Sequence, residues 1–305
     1  MNPEREFCHM TGISDDILMV FIGGVHGNEK EGVLAIQRIC QTLKHRQTTL
    51  NGKLVCLTGN IQALSADKRF LQYDLNRCWH QEHIQSVLAK PEEQRQAEDC
   101  ELIALYEQIN KLAELPYRQK YLIDLHTTSG DNGIFIIKSG NAPLHPVTQS
   151  LHLPVIINVQ NFLKGTLLQY ARDMGFEAFA FEGGQIGSDQ AVDMLANGAW
   201  QAMINARLIA NDPLDEDPEH YHHLVKKTHE PQPEKVRIIH RHEVKPHDQF
   251  RMKPGYCNFQ EVNPGEVLAY DKNGEVATPV SGRVFLPLYQ NIGDDGFFIV
   301  EDVIE

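Results

Sequence analysis

The sequence predicts an α/β fold, a mixed sheet flanked by helices, followed by a smaller C-terminal all-β, barrel-like domain. Three observations carry this reading. Short apolar runs alternate with segments of helical periodicity. Several of those runs end abruptly in glycine, histidine or glutamate, as strands do when they deliver side chains to a sheet edge. Beyond residue 210 the pattern gives way to short strands separated by turn signals. The division expected is therefore 1–210 for an α/β domain and 211–305 for a linker and β domain.

Composition bounds the function. The chain has 305 residues and a formal net charge of -13. An acidic balance argues against nucleic acid as a partner, and any anion site must be locally positive. No apolar run approaches the roughly 18 residues of a membrane span. The start, Met1-Asn2-Pro3-Glu4-Arg5-Glu6, lacks the basic-then-apolar pattern of a secretory signal. Six cysteines are scattered without a CxxC pair, and Cys40, Cys56 and Cys100 read as small core residues. These features point to a reducing cytoplasm. Oligomeric state is not legible.

The first apolar run, Ile17 to Ile22, opens into Gly23-Gly24-Val25-His26-Gly27-Asn28-Glu29. His26 and Glu29 stand three residues apart, so one turn of backbone can aim both at one point. Imidazole plus carboxylate begins a catalytic zinc site, which takes three protein ligands and leaves a fourth position open. Taken alone, such a pair more often belongs to a glycine-rich turn without metal. Val33, Ile36, Ile39, Cys40 and Leu43 then recur at helical spacing. Leu54 to Leu57 reads as a buried strand. The stretch Asp67 to Arg77 has little periodicity, and its arginines read by default as solvated surface. Pro91 to Leu115 reads as a helix.

Tyr121-Leu122-Ile123-Asp124-Leu125-His126 is a buried strand that ends in chemistry, with Asp124 and His126 on one face. His126 ends an apolar run as the His26 turn does, so the two can meet at one sheet edge. Ile134 to Ile137 and Val155 to Val159 read as further strands. Ala178-Phe179-Ala180-Phe181 delivers Glu182, a carboxylate that is costly at a strand end unless paired or used. A helix over 191–209 follows. Asn211 to Pro218 is acidic, proline-rich and linker-like. His220, His222 and His223 next to it read as solvated rather than metal-binding.

Four pieces in sequence order carry a resemblance: His-Gly-Asn-Glu at 26–29, Asp-Leu-Asn-Arg at 74–77, Asp-Leu-His at 124–126 and Glu-Gly-Gly-Gln at 182–185. Together they resemble the aspartoacylase / succinylglutamate desuccinylase family, a branch of the zinc carboxypeptidase-like superfamily. The resemblance implies one Zn2+ per chain held by His26, Glu29 and His126, with Glu182 as general base toward the attacking water. It implies that Asn76 and Arg77 hold the substrate α-carboxylate and that Arg69 polarises the scissile carbonyl. Arg172, ten residues before Glu182, would hold a side-chain carboxylate; the competing reading pairs it with Asp173 at the surface. Tyr289 is a candidate for the family's substrate-binding tyrosine.

The expected activity is hydrolysis of a small anionic N-acyl amino acid, N-acyl-aspartate or N-acyl-glutamate. Glu182 is followed by Gly-Gly-Gln rather than the aspartoacylase Gly-Pro-Gln, which leaves the acyl group open. A metallocarboxypeptidase acting on short peptides would need the same metal site and carboxylate clamp. A non-catalytic ligand-binding protein that retains the fold is the reading of another class.

Overall fold

Strand β2 (Ile17–Gly23) is buried at every position. That is the signature of a central strand covered on both faces. The computed structural model describes residues 4–131, 133–140, 143–210, 233–245, 247–290 and 292–303. The linker at 211–218 and His220, His222 and His223 lie outside the described residues.

Around β2 the chain lays down β1 (Glu6–Thr11), β3 (Gly52–Thr58), β4 (Gln119–Thr128), β5 (Ile134–Lys138), β6 (Val155–Ile157) and β7 (Glu177–Gln185). The helices are α1 (Glu31–His45), α2 (Ile61–Ser65), α3 (Gln81–Leu88), α4 (Ala97–Ala113), α5 (Pro146–Gln149), α6 (Leu167–Asp173) and α7 (Asp189–Asn205). The C-terminal part adds β8 (Lys235–Glu243), β9 (Arg251–Met252), β10 (Glu261–Val262), β11 (Val267–Asp271), β12 (Gly274–Ala277), β13 (Gly282–Phe285) and β14 (Asp295–Asp302).

Among the described residues eleven strands form one mixed sheet in the order β1-β3-β2-β4-β7-β5-β6-β8-β14-β13-β10, and β12-β11-β9 form a separate small antiparallel sheet. Because side chains alternate along a strand, the large sheet sorts its apolar residues into two cores. Met19, Phe21, Ile123, Leu125, Phe179 and Phe181 face α1 and α7. Leu18, Val20, Ile22, Leu122, Ala178 and Ala180 face the side of α4 and α6.

One strand pairing adds to the sequence reading, and one cysteine departs from it. Strand β8 pairs in parallel with β6, Val155 opposite Lys235, so the C-terminal strands continue the large sheet. Pairing between segments so far apart leaves no local trace in the sequence. Cys40 and Cys56 are buried as expected, but Cys100 is exposed. It follows the buried Glu98 and Asp99 of α4 and lies on that helix's outer face.

Parallel pairing of β3, β2, β4 and β7 brings their C-terminal ends to one edge. The register sets Gly23 opposite Leu125 and His126 opposite Glu182. Close approach of α1 to that edge needs glycine: a Cβ on Gly32 would stand 2.6 Å from the Leu125 carbonyl oxygen, and one on Gly23 would stand 2.7 Å from the Gly32 backbone. Gly24, at φ +73°, makes the turn that carries the chain off the end of β2.

Candidate metal centre and substrate cavity

His26 leaves the β2 turn, Glu29 precedes α1, and His126 lies two residues before the end of β4. All three are buried. The His26 Nδ1 atom lies 2.8 Å from Glu29 Oε1, and His126 Nδ1 lies 2.9 Å from Glu29 Oε2. The outer ring nitrogens are also held: His26 Nε2–H donates to Asp74 Oδ1 at 3.1 Å, and His126 Nε2–H donates to Asp124 Oδ2 at 2.7 Å. A carboxylate on Nε2 fixes the tautomer whose Nδ1 lone pair points inward.

This donor set fits a zinc ion. The three ligand atoms lie within 4.8 Å of one another. Metal bonds near 2.1 Å set tetrahedral ligands roughly 3.3 Å apart, so only small closures are needed. Charge points the same way. Glu29, Asp74, Asp124 and Glu182 bring four buried carboxyl groups together, an arrangement that calls for a cation.

Titration follows from this crowding. Burial opposes ionisation of Glu29, but His26 and His126 outweigh it and hold the carboxyl below the usual range. Burial likewise disfavours charge on His126, and Asp124 and Glu29 overcome it, raising the imidazole well above its ordinary value. Burial pushes Glu182 up to about 8; Glu29 and Asp124 add to this, and His126 and Arg69 oppose it. Glu182 Oε2 is buried with no hydrogen-bond partner.

The Asp-Leu-Asn-Arg stretch forms a short 3-10 turn, Leu75–Arg77, capped by Asp74, whose carboxylate accepts from Asn76 N at 2.8 Å. Asp74 therefore serves the turn, His26 and Arg69 together. Arg69 donates to Glu29 at 3.3 Å and to Asp74 at 3.2 Å. Asn76 spends its Oδ1 on Leu167 N at 2.9 Å, which turns its NH2 group into a free donor. Arg77 donates to Asp295 Oδ2 at 2.8 Å. Burial opposes its charge, but Asp74 and Asp295 hold it firmly protonated. The Nε–H groups of both arginines are buried without a partner.

Arg69, Asn76, Arg77 and Asp295 line one cavity of about 130 Å³ together with His26, Glu29, His126 and Glu182. Its other walls mix apolar residues with polar ones such as Thr127, Thr128, Ser139, Thr166 and Asp294, and Leu286, Pro287 and Leu288 close it from the C-terminal part.

Two candidates are not brought to it. Arg172 is paired with Asp173 at 3.0 Å and half-exposed, and it lies against the opposite end of the sheet beside Glu177. Five residues of β7 separate Glu177 from Glu182, about 16 Å of strand; nearness in sequence crosses the sheet's full width. Tyr289 spends its hydroxyl on the backbone at Lys253 and Tyr256 and ties the C-terminal part together. Its neighbour Gln290 lines the cavity instead and accepts from Asn28 at 3.1 Å.

Sequence reading missed Glu98. It is fully buried and accepts from Leu71 N at 2.6 Å, Gln72 N at 2.9 Å and Asn60 Nδ2 at 3.1 Å. It thus fixes the loop that carries Arg69. Its only signal is an acidic group at the start of an amphipathic helix, where solvent is the default reading.

A family model described as succinylglutamate desuccinylase/aspartoacylase catalytic domain matches residues 16–205. A protein named probable aspartoacylase from Acaryochloris marina is 30% identical over 146 residues, 47% of this chain and 44% of that protein, so the match spans under half the relative's length. A probable aspartoacylase from Prochlorococcus marinus is 25% identical over 290 residues, covering 90% of this chain and 87% of the relative. Among solved structures, a succinylglutamate desuccinylase/aspartoacylase from Rhodobacter sphaeroides superposes with a TM-score of 0.70 at 17% identity, covering 97% of this chain and 88% of that one. A product-bound ectoine utilization protein from Ruegeria pomeroyi gives 0.65 at 16% identity, with 96% and 87% covered. At these identities the structural likeness establishes the fold.

Proposed function

The chain belongs to the succinylglutamate desuccinylase/aspartoacylase family, and from that premise we propose that it is a zinc-dependent hydrolase that removes the acyl group from an N-acyl amino acid. The observation that carries this reading is the inward-facing set of His26, Glu29 and His126 with the unpartnered Glu182 carboxyl beside it. When bound there, zinc would act as a Lewis acid toward water and the acyl carbonyl. The residues themselves do the rest. Asp74 and Asp124 keep both imidazoles aimed inward. Glu182, a buried carboxyl whose Oε2 has no hydrogen-bond partner beside the metal ligands, is placed to take a proton from water and return it to the leaving amine. The free Nε–H of Arg69 suits the oxygen that gains charge. The Asn76 amide and the Arg77 Nε–H suit an α-carboxylate.

The wall of Leu286, Pro287 and Leu288 favours a small N-acyl amino acid over a peptide. We retain the division into a catalytic part, 1–210, and a C-terminal part, 211–305, as a functional one: the second part closes the cavity of the first. No helix among the described residues is long and apolar enough to cross a membrane. The six free cysteines suit the reducing cytoplasm proposed for it. The testing experiment is amine release from a panel of N-acyl amino acids by zinc-loaded protein. Turnover that chelation abolishes and zinc restores is expected; absence of turnover on the whole panel rejects the reading.

A further inference from the structure

We propose that the substrate carries a single carboxylate and that its second recognised group is apolar, seated against Ala180, Ile137, Val159, Leu163, Leu168 and Phe298. The inference rests on the hydrolase reading and narrows its substrate class away from N-acyl-aspartate and N-acyl-glutamate.

The sheet register builds the floor of this subsite. Ala180 stands two residues before Glu182 on the same face of β7, and Ile137 of β5 lies directly opposite Ala180. The apolar floor therefore begins beside the general base. Alanine at 180 leaves the space that a larger side chain would fill. Val159, Leu163 and Leu168 come from the turn after β6 and from α6, and Phe298 of β14 adds a further wall. Ser139 contributes a buried hydroxyl without a partner, which is neutral.

Charge excludes the alternative. Among the described residues the lining includes the carboxyls of Glu29, Glu182, Asp294 and Asp295 but only two guanidinium groups, Arg69 and Arg77. Arg69 already serves Glu29 and Asp74. Arg77 and Arg241 both bond Asp295, at 2.8 and 2.5 Å. One substrate carboxylate can take the free donors of Arg77 and Asn76. Among the described residues the lining offers a second one no third cation; Arg172, which packs on Gly140 beside Ser139, is outside the lining and bonded to Asp173, and an unpaired buried charge is strongly disfavoured.

The test is kcat/KM of the zinc-loaded full chain on N-acetyl-leucine, -methionine, -alanine, -aspartate and -lysine and on N-succinyl-glutamate. One methylene in an apolar pocket changes specificity by roughly 10- to 200-fold. The leucine and methionine derivatives should therefore exceed alanine by at least about tenfold and aspartate or succinyl-glutamate by about a hundredfold. Ala180→Val should depress the leucine derivative at least tenfold more than the alanine derivative. An aspartate, succinyl-glutamate or lysine derivative turned over as well as leucine overturns the inference and leaves the hydrolase reading standing. Equal losses on leucine and alanine in Ala180→Val also overturn it. Hydrolysis of none of these substrates rejects both.

Discussion

Replacing Glu98 by alanine should loosen the loop that carries Arg69. In the native protein this fully buried carboxylate accepts three hydrogen bonds, two from the backbone at Leu71 and Gln72 and one from Asn60. Each buried donor left without a partner costs about 1–3 kcal/mol. Losing the set should cost about 3–5 kcal/mol, near the upper end for single substitutions. At about 2 °C per kcal/mol for a chain of this size, the unfolding midpoint should fall by roughly 6–10 °C. Glu98→Gln is the sharper probe. Its remaining oxygen can keep Leu71 and Asn60, but its NH2 group must then face the Gln72 N–H, so about 1–3 kcal/mol should still be lost. Arg69 lies two residues before Leu71, so kcat should drop in both variants below their melting range. Scanning calorimetry with parallel kinetics reads both effects. A loss under about 1 kcal/mol in Glu98→Ala, or unchanged kcat, would refute the claim that this carboxylate positions Arg69.

Glu182→Gln should keep the metal and lose about 10²- to 10⁴-fold in kcat, the usual contribution of a general base; zinc content and turnover measured on one sample check it. Asp124→Asn should weaken zinc binding by about 10- to 100-fold, because the carboxylate that orients His126 is gone; competition with a chelating dye reads this. In metal-free protein Asp124 and Glu29 hold His126 protonated well above the ordinary imidazole value. Zinc must displace that proton, so affinity should weaken as pH falls, and loading at pH 7 should release protons. Calorimetric titration in buffers of different ionisation enthalpy measures the release, and none at pH 7 would be contrary.

What could be read from the sequence was what chain position itself encodes. His126 and Glu182 sit where apolar runs end in the sequence, and the parallel register of β4 and β7 sets them opposite one another. His26 and Glu29 share a glycine-rich turn at the end of β2, so their proximity is local. Asp74 and Asp124 were visible as motif members, but their role toward the imidazoles needs three dimensions. Arg172 shows the opposite case: ten residues from Glu182 in sequence, it is separated from it by the length of a strand. The cavity's apolar wall draws on β5, β7, α6 and β14, a convergence no single stretch reports. Asp295, which occupies Arg77, lies 218 residues away from it.

Zinc titrated into metal-stripped protein, with hydrolysis of the best N-acyl amino acid followed at each addition, tests the central claim most directly. Activity should rise from background in proportion to added zinc, break at one equivalent per chain, and stay at background when His26 and His126 are both replaced by alanine. Full turnover by the stripped protein, or an unchanged titration in that double variant, would contradict the account.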